Sequence, residues 1–392
     1  MFDLATQLHA RREAGLYRSR LTSSSPQGAR VVIDEREYLS FCSNDYLGLA
    51  SHPELVHAIQ DAAARWGAGA GASHLLGGHS ELHHELEHEL ARFMGTQRAL
   101  LFSTGYMANL AVLSSLAGRG DVIFQDRLNH ASLIDGAQLS RATLKRYRHV
   151  DMEQLERLLP QHEGRKIVAS DGVFSMDGDL APITTMLELC RRTESLCYID
   201  DAHGFGVLGK TGRGIAELSG GCATDYADGY LLSMCTLGKA MGSFGAFVAG
   251  SDEMIETLIQ QGRSYIYTTA LPPVVAAASL AALRISGAEP WRRDKLSTLV
   301  DYFRAGCQQR NIPLLPSSTP IQPVLIGNNE QVQQLAEKLQ QQNLLVFAIR
   351  SPTVARGSER LRVTLSASHE QADVDILLDG LANAMTEIGN GS

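Results

Sequence analysis

Lys239 stands in an unusual setting for a lysine. Its loop, Thr236-Leu237-Gly238-Lys239-Ala240-Met241-Gly242, is small and apolar and follows the apolar run YLLSMC (230–235). A lysine held away from water has a depressed pKa and becomes a usable amine nucleophile. A lysine snorkelling out of a loop is the plainer alternative. Asp200 closes another apolar run, LCYID (196–200), and His203 follows three residues later. An acid and an imidazole at that spacing can reach one ligand, although the same residues also suit a solvated acidic turn. Ser103-Thr104-Gly105-Tyr106 precedes the helical stretch MANLAVLSSLAG. Small residues ahead of a helix N-terminus make a phosphate cradle, or an ordinary cap. Asn129-His130-Ala131-Ser132 follows the run DVIFQD (121–126). His130 can lie flat on an aromatic ligand or be a plain loop histidine. Taken together, the four groups ask for a ligand with a phosphate, an aromatic ring bearing a basic nitrogen, and a carbonyl that captures the lysine. Pyridoxal phosphate meets all three demands.

The elements that must position these groups are legible between about residues 95 and 270. The strand candidates are ALLFS (99–103), DVIFQD, KIVAS (166–170), LCYID, YLLSMC and GAFVAG (245–250), with amphipathic stretches such as 182–192 between them. Such alternation predicts an α/β domain with a largely parallel sheet covered on both faces. Ligands of an open α/β sheet sit beyond the carboxyl ends of its strands, where the four groups fall. From about residue 290 a charged helix, IQPVLIG, a Gln-rich helix, LLVFAI, RLRVTLSA and a last helix predict a smaller α+β domain. The expected division is an N-terminal segment, 1–50, packing on the small domain; a large ligand-binding domain, 51–290; and the small C-terminal domain, 291–392.

Composition narrows the partners. The chain of 392 residues has a formal net charge of −8 and no basic run, which argues against nucleic acid and anionic membranes. The longest apolar stretch, 274–283, is too short to span a bilayer, and the N-terminus has no apolar signal core. The six cysteines, at 42, 190, 197, 222, 235 and 307, form no C-x-x-C pair, so a reducing cytoplasm is the expected setting and no metal is expected.

Two motif matches are set aside. His84-Glu85-Leu86-Glu87-His88 fits the zinc-peptidase pattern H-E-x-x-H. The apolar stripe of that helix, however, is Leu82, Leu86, Leu90 and Phe93, and both histidines lie roughly 200° from it, facing solvent. GFGVLGKT (204–211) fits a P-loop, but the next residues, Gly212-Arg213-Gly214, are a poor helix start where a phosphate-binding helix must begin.

The order of longer motifs resembles the α-oxoamine synthases of the fold type I pyridoxal-phosphate superfamily, from about residue 10 to 385. The motifs are SNDYLGL (43–49), DGVFSMDGD (171–179), DDAHGFGVLGKTGRG (200–214), TLGKAMG (236–242), YTTALPP (267–273), IRSPTV (349–354) and RLRVTLSASHE (360–370). The resemblance implies a large mostly parallel-sheet domain with a smaller α+β domain. It also implies roles by motif position. Lys239 would carry the cofactor as a Schiff base and move a Cα proton. Asp200 would hold the ring nitrogen protonated, His203 and Ser175 would hydrogen-bond near the ring oxygen, and His130 would stack on the ring. Gly105 and Tyr106 would meet the phosphate through backbone N–H groups, with the Thr236 hydroxyl. Thr268 and Thr269 would reach it from the second subunit of a homodimer. Arg362 would bind the amino-acid carboxylate, Arg18 and Thr353 the acyl thioester, and Asn44 is a site residue of less clear role.

The activity implied is decarboxylative condensation of an amino acid with an acyl thioester. DAHG, YTTALPP and IRSPTV resemble the biotin-synthesis branch, which implies L-alanine and a pimeloyl thioester of coenzyme A or acyl carrier protein. Glycine C-acetyltransferase, 5-aminolevulinate synthase and serine palmitoyltransferase are the sister activities. Asp171 departs from members that carry Glu there, which bears on local hydrogen bonding. A ligand-sensing regulator on the same fold would need a helix-turn-helix domain, and none is visible in this acidic chain.

Overall fold

The computed structural model describes residues 2–14, 16–221 and 223–390. Seven strands make the large sheet, in spatial order Arg98–Phe102, Ala246–Gly250, Leu231–Thr236, Leu196–Asp200, Lys166–Asp171, Val122–Asp126 and Thr143–Tyr147. All neighbours are parallel except around Ala246–Gly250, which runs antiparallel to both its partners. The strands Val122–Asp126 and Ala246–Gly250 are buried along their whole length, as strands covered on both faces must be. Thr143–Tyr147 was not anticipated. It is one of the two edge strands, and its sequence TLKRY is buried only at Tyr147, so it lacks the apolar run of an inner strand.

Helices Gly105–Leu116 and Ala131–Ser140 pack together on one face of this sheet. On the other face Pro273–Ala288 packs against Pro53–Trp66 and Glu81–Met94. The helix Glu81–Met94 turns as its sequence requires: Leu86 and Leu90 are buried while His84 and His88 are exposed. No helix starts at Lys210; the next one is Ile215–Leu218. The apolar run SYIY ahead of Thr268 suggests a strand, but Arg263–Ile266 forms a single helical turn instead. Its Tyr265 packs edge-on against Phe102 and stacks on His74, contacts that a one-turn helix reaches.

In the C-terminal part, Ile321–Leu325, Arg360–Thr364 and Phe347–Ile349 form an antiparallel sheet, with helices Trp291–Gln309, Asn329–Gln341 and Gln371–Asn390. The run LLVFAI is shared between two sheets. Leu344–Leu345 pairs with Arg36–Ser40, and Phe347–Ile349 with Arg360–Thr364. Within residues 1–50, the part from Arg30 onward packs on this region. Arg30 pairs with Asp373 at 3.0 Å and Phe41 stacks on His369. The helix Leu4–Glu13, by contrast, buries no side chain. The described cysteines Cys42, Cys190, Cys197, Cys235 and Cys307 are free; Cys222 lies outside the described residues. Among the described residues no helix is long and apolar enough to cross a membrane.

Candidate active site

The parallel register brings the strand ends level. Asp171 is the ladder partner of Asp200, and Asp200 that of Met234. A cavity of about 220 Å3 lies beyond these ends, the scale of one small aromatic ligand. Lys239, Asp200, His203 and His130 line it. So do Gly105, Tyr106, Ser175 and Thr236, so eight residues expected from sequence meet in one place.

Lys239 Nζ lies 2.8 Å from His203 Nε2. Burial pushes the lysine pKa down to about 8; the Arg362 guanidinium also lowers it, and the Asp200 carboxylate opposes the shift. His203 is buried, and burial followed by the Lys239 charge holds its pKa well below the ordinary value, so its imidazole is neutral. Its Nδ1 meets the Tyr46 hydroxyl at 2.6 Å. Burial raises that phenol to about 12, so it keeps its proton. A neutral imidazole donates from Nε2 to the free amine or accepts there from the ammonium, so this contact serves both forms of the lysine.

Asp200 is held by groups that its sequence neighbourhood does not reveal. Asn109 Nδ2 donates to Asp200 Oδ2 at 2.7 Å and to Ser132 Oγ at 2.8 Å, and the Tyr198 hydroxyl donates to Asn109 Oδ1 at 2.5 Å. The Ala202 N–H donates to Asp200 Oδ1 at 3.1 Å. The one available signal for Asn109 was a polar residue inside the apolar stretch MANLAVLSSL. Asp171 is buried, and burial together with the Asp200 charge raises its pKa well above the ordinary carboxylate range; its Oδ2 accepts from the His130 N–H at 2.9 Å. The position flagged as variable therefore sets the backbone that carries His130.

His130 is exposed at the cavity rim, with Nδ1 2.7 Å from Ser132 Oγ and its ring edge-on to Tyr106 at 6.3 Å. Gly105 and Tyr106 open the helix Gly105–Leu116, where N–H groups have no intrahelical partner. Thr104 caps only the Met107 N–H, so the first two remain for an anion. Thr236 Oγ1 donates to Gly245 O at 3.0 Å. This set fits pyridoxal phosphate: an amine of depressed pKa, an acid at a strand end, and a helix N-terminus with free donors.

Asp201 turns away from the cavity. Its Oδ2 accepts from the Ile215 N–H at 2.7 Å, and burial raises its pKa well above the ordinary range. A Cβ on Gly214, which has φ +93°, would fall 1.8 Å from that oxygen. Gly204, the first glycine of the P-loop look-alike, makes room for the same acid: a Cβ there would fall 2.1 Å from Asp201 Oδ1.

Arg362 stands beside the cavity. Its Nε donates to Ser175 O at 2.6 Å, Nη1 to Thr364 Oγ1 at 3.0 Å and Nη2 to Asn44 Oδ1 at 3.3 Å. Asn44 thereby gains a definite contact, to the arginine. A wider cleft of about 1130 Å3 opens next to the cavity, and Ser175 lines both. Thr353 lines the cleft, as do Arg127, Arg146 and Arg148. Six expected residues lie outside the cavity lining: Arg362 and Asn44 beside it, Thr353 in the wider cleft, and Arg18, Thr268 and Thr269 apart from both. Arg18 is exposed on a segment without regular secondary structure, and the helix before it buries nothing that would draw it in. Thr268 and Thr269 lie outside the lining; Thr269 pairs in a bridge with Ser73, and its carbonyl accepts from Ser103 Oγ at 3.5 Å.

The family profile described as Aminotransferase class I and II matches residues 36–381. A relative from Cellvibrio japonicus named 8-amino-7-oxononanoate synthase is 54% identical over 383 residues, covering 97% of this chain and 95% of the relative. One of the same name from Pseudomonas putida is 51% identical over 389 residues, covering 99% of each. The fold is similar to serine palmitoyltransferase of Sphingomonas wittichii, with TM-score 0.93, 29% identity and coverage of 99% of this chain and 98% of that one. It is also similar to 8-amino-7-oxononanoate synthase of Francisella tularensis, with TM-score 0.78, 31% identity, and 89% and 98% coverage. The chain belongs to the 8-amino-7-oxononanoate synthase family within that aminotransferase class.

Proposed function

We propose that this chain makes 8-amino-7-oxononanoate by condensing L-alanine with a pimeloyl thioester, carried by coenzyme A or acyl carrier protein, using pyridoxal phosphate held at Lys239. The observation that carries this reading is the lysine amine, buried with a pKa near 8 and 2.8 Å from a neutral histidine at the carboxyl ends of a parallel sheet. When bound, the cofactor supplies an aldehyde for the amino group and an electron-poor ring that accepts the electron pair released at Cα. Lys239 Nζ takes and returns the Cα proton. Asp200, fixed by Asn109 and the Ala202 N–H, keeps a proton on the ring nitrogen. His203 and Ser175 bind near the ring oxygen, and His130 covers the ring. The free N–H groups of Gly105 and Tyr106, with Thr236, hold the phosphate. Arg362, aimed by Ser175 O and Asn44, takes the alanine carboxylate, and Thr353 and Arg18 serve the acyl thioester.

The working unit is a homodimer in which Thr268 and Thr269 serve the partner's phosphate. Exposed Leu75, Leu76 and Tyr267 near that strap support a second copy as cover. The free thiols support a reducing cytoplasmic setting. The test is product analysis with L-alanine or glycine against acetyl, succinyl, pimeloyl and palmitoyl thioesters. The expected preference is L-alanine with pimeloyl thioester; faster turnover of glycine with acetyl-coenzyme A overturns it.

A further inference from the structure

We propose that His149, which lines no part of the lysine cavity, is a positioning residue that sets the aim of Arg362 through the segment 174–179. The proposal rests on the reading of Arg362 as the clamp for the amino-acid carboxylate. His149 Nδ1 lies 3.1 Å and 3.2 Å from the two oxygens of Asp126, and Nε2 lies 2.7 Å from Asp179 Oδ2. Carboxylates only accept, so both ring nitrogens must carry protons and the ring is an imidazolium. No lone pair is left for a metal or for proton transfer, which makes the role one of holding rather than chemistry.

The two carboxylates belong to different parts of the site. Asp126 ends the buried strand Val122–Asp126 and is itself fixed, accepting from the Leu128 N–H at 2.8 Å and the Val150 N–H at 2.7 Å. Asp179 closes the segment 174–179, where Phe174 N–H donates to Asp179 O at 3.0 Å and Gly178 N–H to Phe174 O at 2.8 Å. The Phe174 ring stands edge-on to His149 at 4.4 Å. The crest of this segment is Ser175, whose carbonyl accepts from Arg362 Nε at 2.6 Å. From the small domain, Arg360 pairs with Asp177, and Ser317 and Thr319 donate to Gly178 O at 2.9 Å and 3.0 Å. His149 is thus the large domain's ionic hold on a segment that the small domain grips from the other side. Without it, the segment is free to follow the small domain, and the Ser175 carbonyl loses its fixed place relative to the cavity.

The test compares His149→Gln, Asp179→Asn and the double variant with the wild type. Glutamine donates to one carboxylate and carries no charge. The expected result is a KM for L-alanine raised about tenfold or more, with kcat at saturating alanine within about threefold. Calorimetric binding of L-alanine to the loaded protein should weaken by a similar factor, while the visible absorbance of the cofactor at Lys239 stays unchanged. The double variant should be no worse than the worse single one, because both remove the same contact. A fall in kcat or in folded yield with KM and alanine affinity unmoved, or additive effects, overturns the proposal. If His149→Gln does not fold, Asp179→Asn alone carries the same readouts. A wild type that binds no L-alanine overturns the functional reading and this one with it, whereas normal wild-type turnover with unaffected variants overturns this one only.

Discussion

An ordinary lysine is a poor nucleophile near neutrality because almost all of it is protonated. With a pKa near 10.5, about 0.03% is free amine at pH 7. Lys239, lowered to about 8 by burial, has about 9% free, a gain of roughly 300-fold in the reactive form. Capture of the cofactor aldehyde by apoenzyme should therefore quicken about tenfold per pH unit in acid and level off above about pH 8, as followed by stopped-flow absorbance. The surrounding charges give this prediction a sign test. The Asp200 carboxylate favours the ammonium form, so Asp200→Asn should move the inflection to lower pH. The Arg362 cation disfavours it, so Arg362→Gln should move the inflection to higher pH. An inflection near the ordinary lysine value, or two variants shifting the same way, would refute the electrostatic account of this amine.

Asn109→Leu should destabilise the fold by about 2–6 kcal/mol, since the Tyr198 hydroxyl and Asp200 Oδ2 each lose a buried partner worth roughly 1–3 kcal/mol. Urea denaturation measures this, and a loss under about 1 kcal/mol contradicts the tight network. Lys239→Ala and a Thr268/Thr269 double-alanine variant should each be nearly inactive, yet refolding them together should recover roughly a quarter of wild-type activity, because half the dimers are mixed and each mixed dimer has one intact site. Confirmed mixed dimers without recovery would remove the shared-site reading.

The reach of the sequence follows from what kind of neighbour each residue needs. The inner strands were legible because burial on both faces writes an uninterrupted apolar run, and their ends located Asp200, Lys239 and Thr236 without any knowledge of distant contacts. Thr143–Tyr147 was not, because an edge strand buried at one residue writes no apolar run, and the split of LLVFAI was not, because its first half pairs with Arg36–Ser40 far back in the chain. The same divide runs through the site. Residues that face the cavity come from short motifs at strand ends, where type and position suffice. Residues that hold those groups in place come from elsewhere: Asn44 lies 318 residues from the arginine it buttresses, and Asn109 lies 91 from the acid it fixes. His149 shows why such residues escape notice. Its neighbours, RYRHVDMEQ, read as an ordinary polar surface turn, and nothing local marks the two carboxylates that convert its ring into a fixed cation. His149 reaches the site only through Asp179 and the segment that carries Ser175, so a residue that aims the site without lining its cavity is found by following hydrogen bonds outward from it.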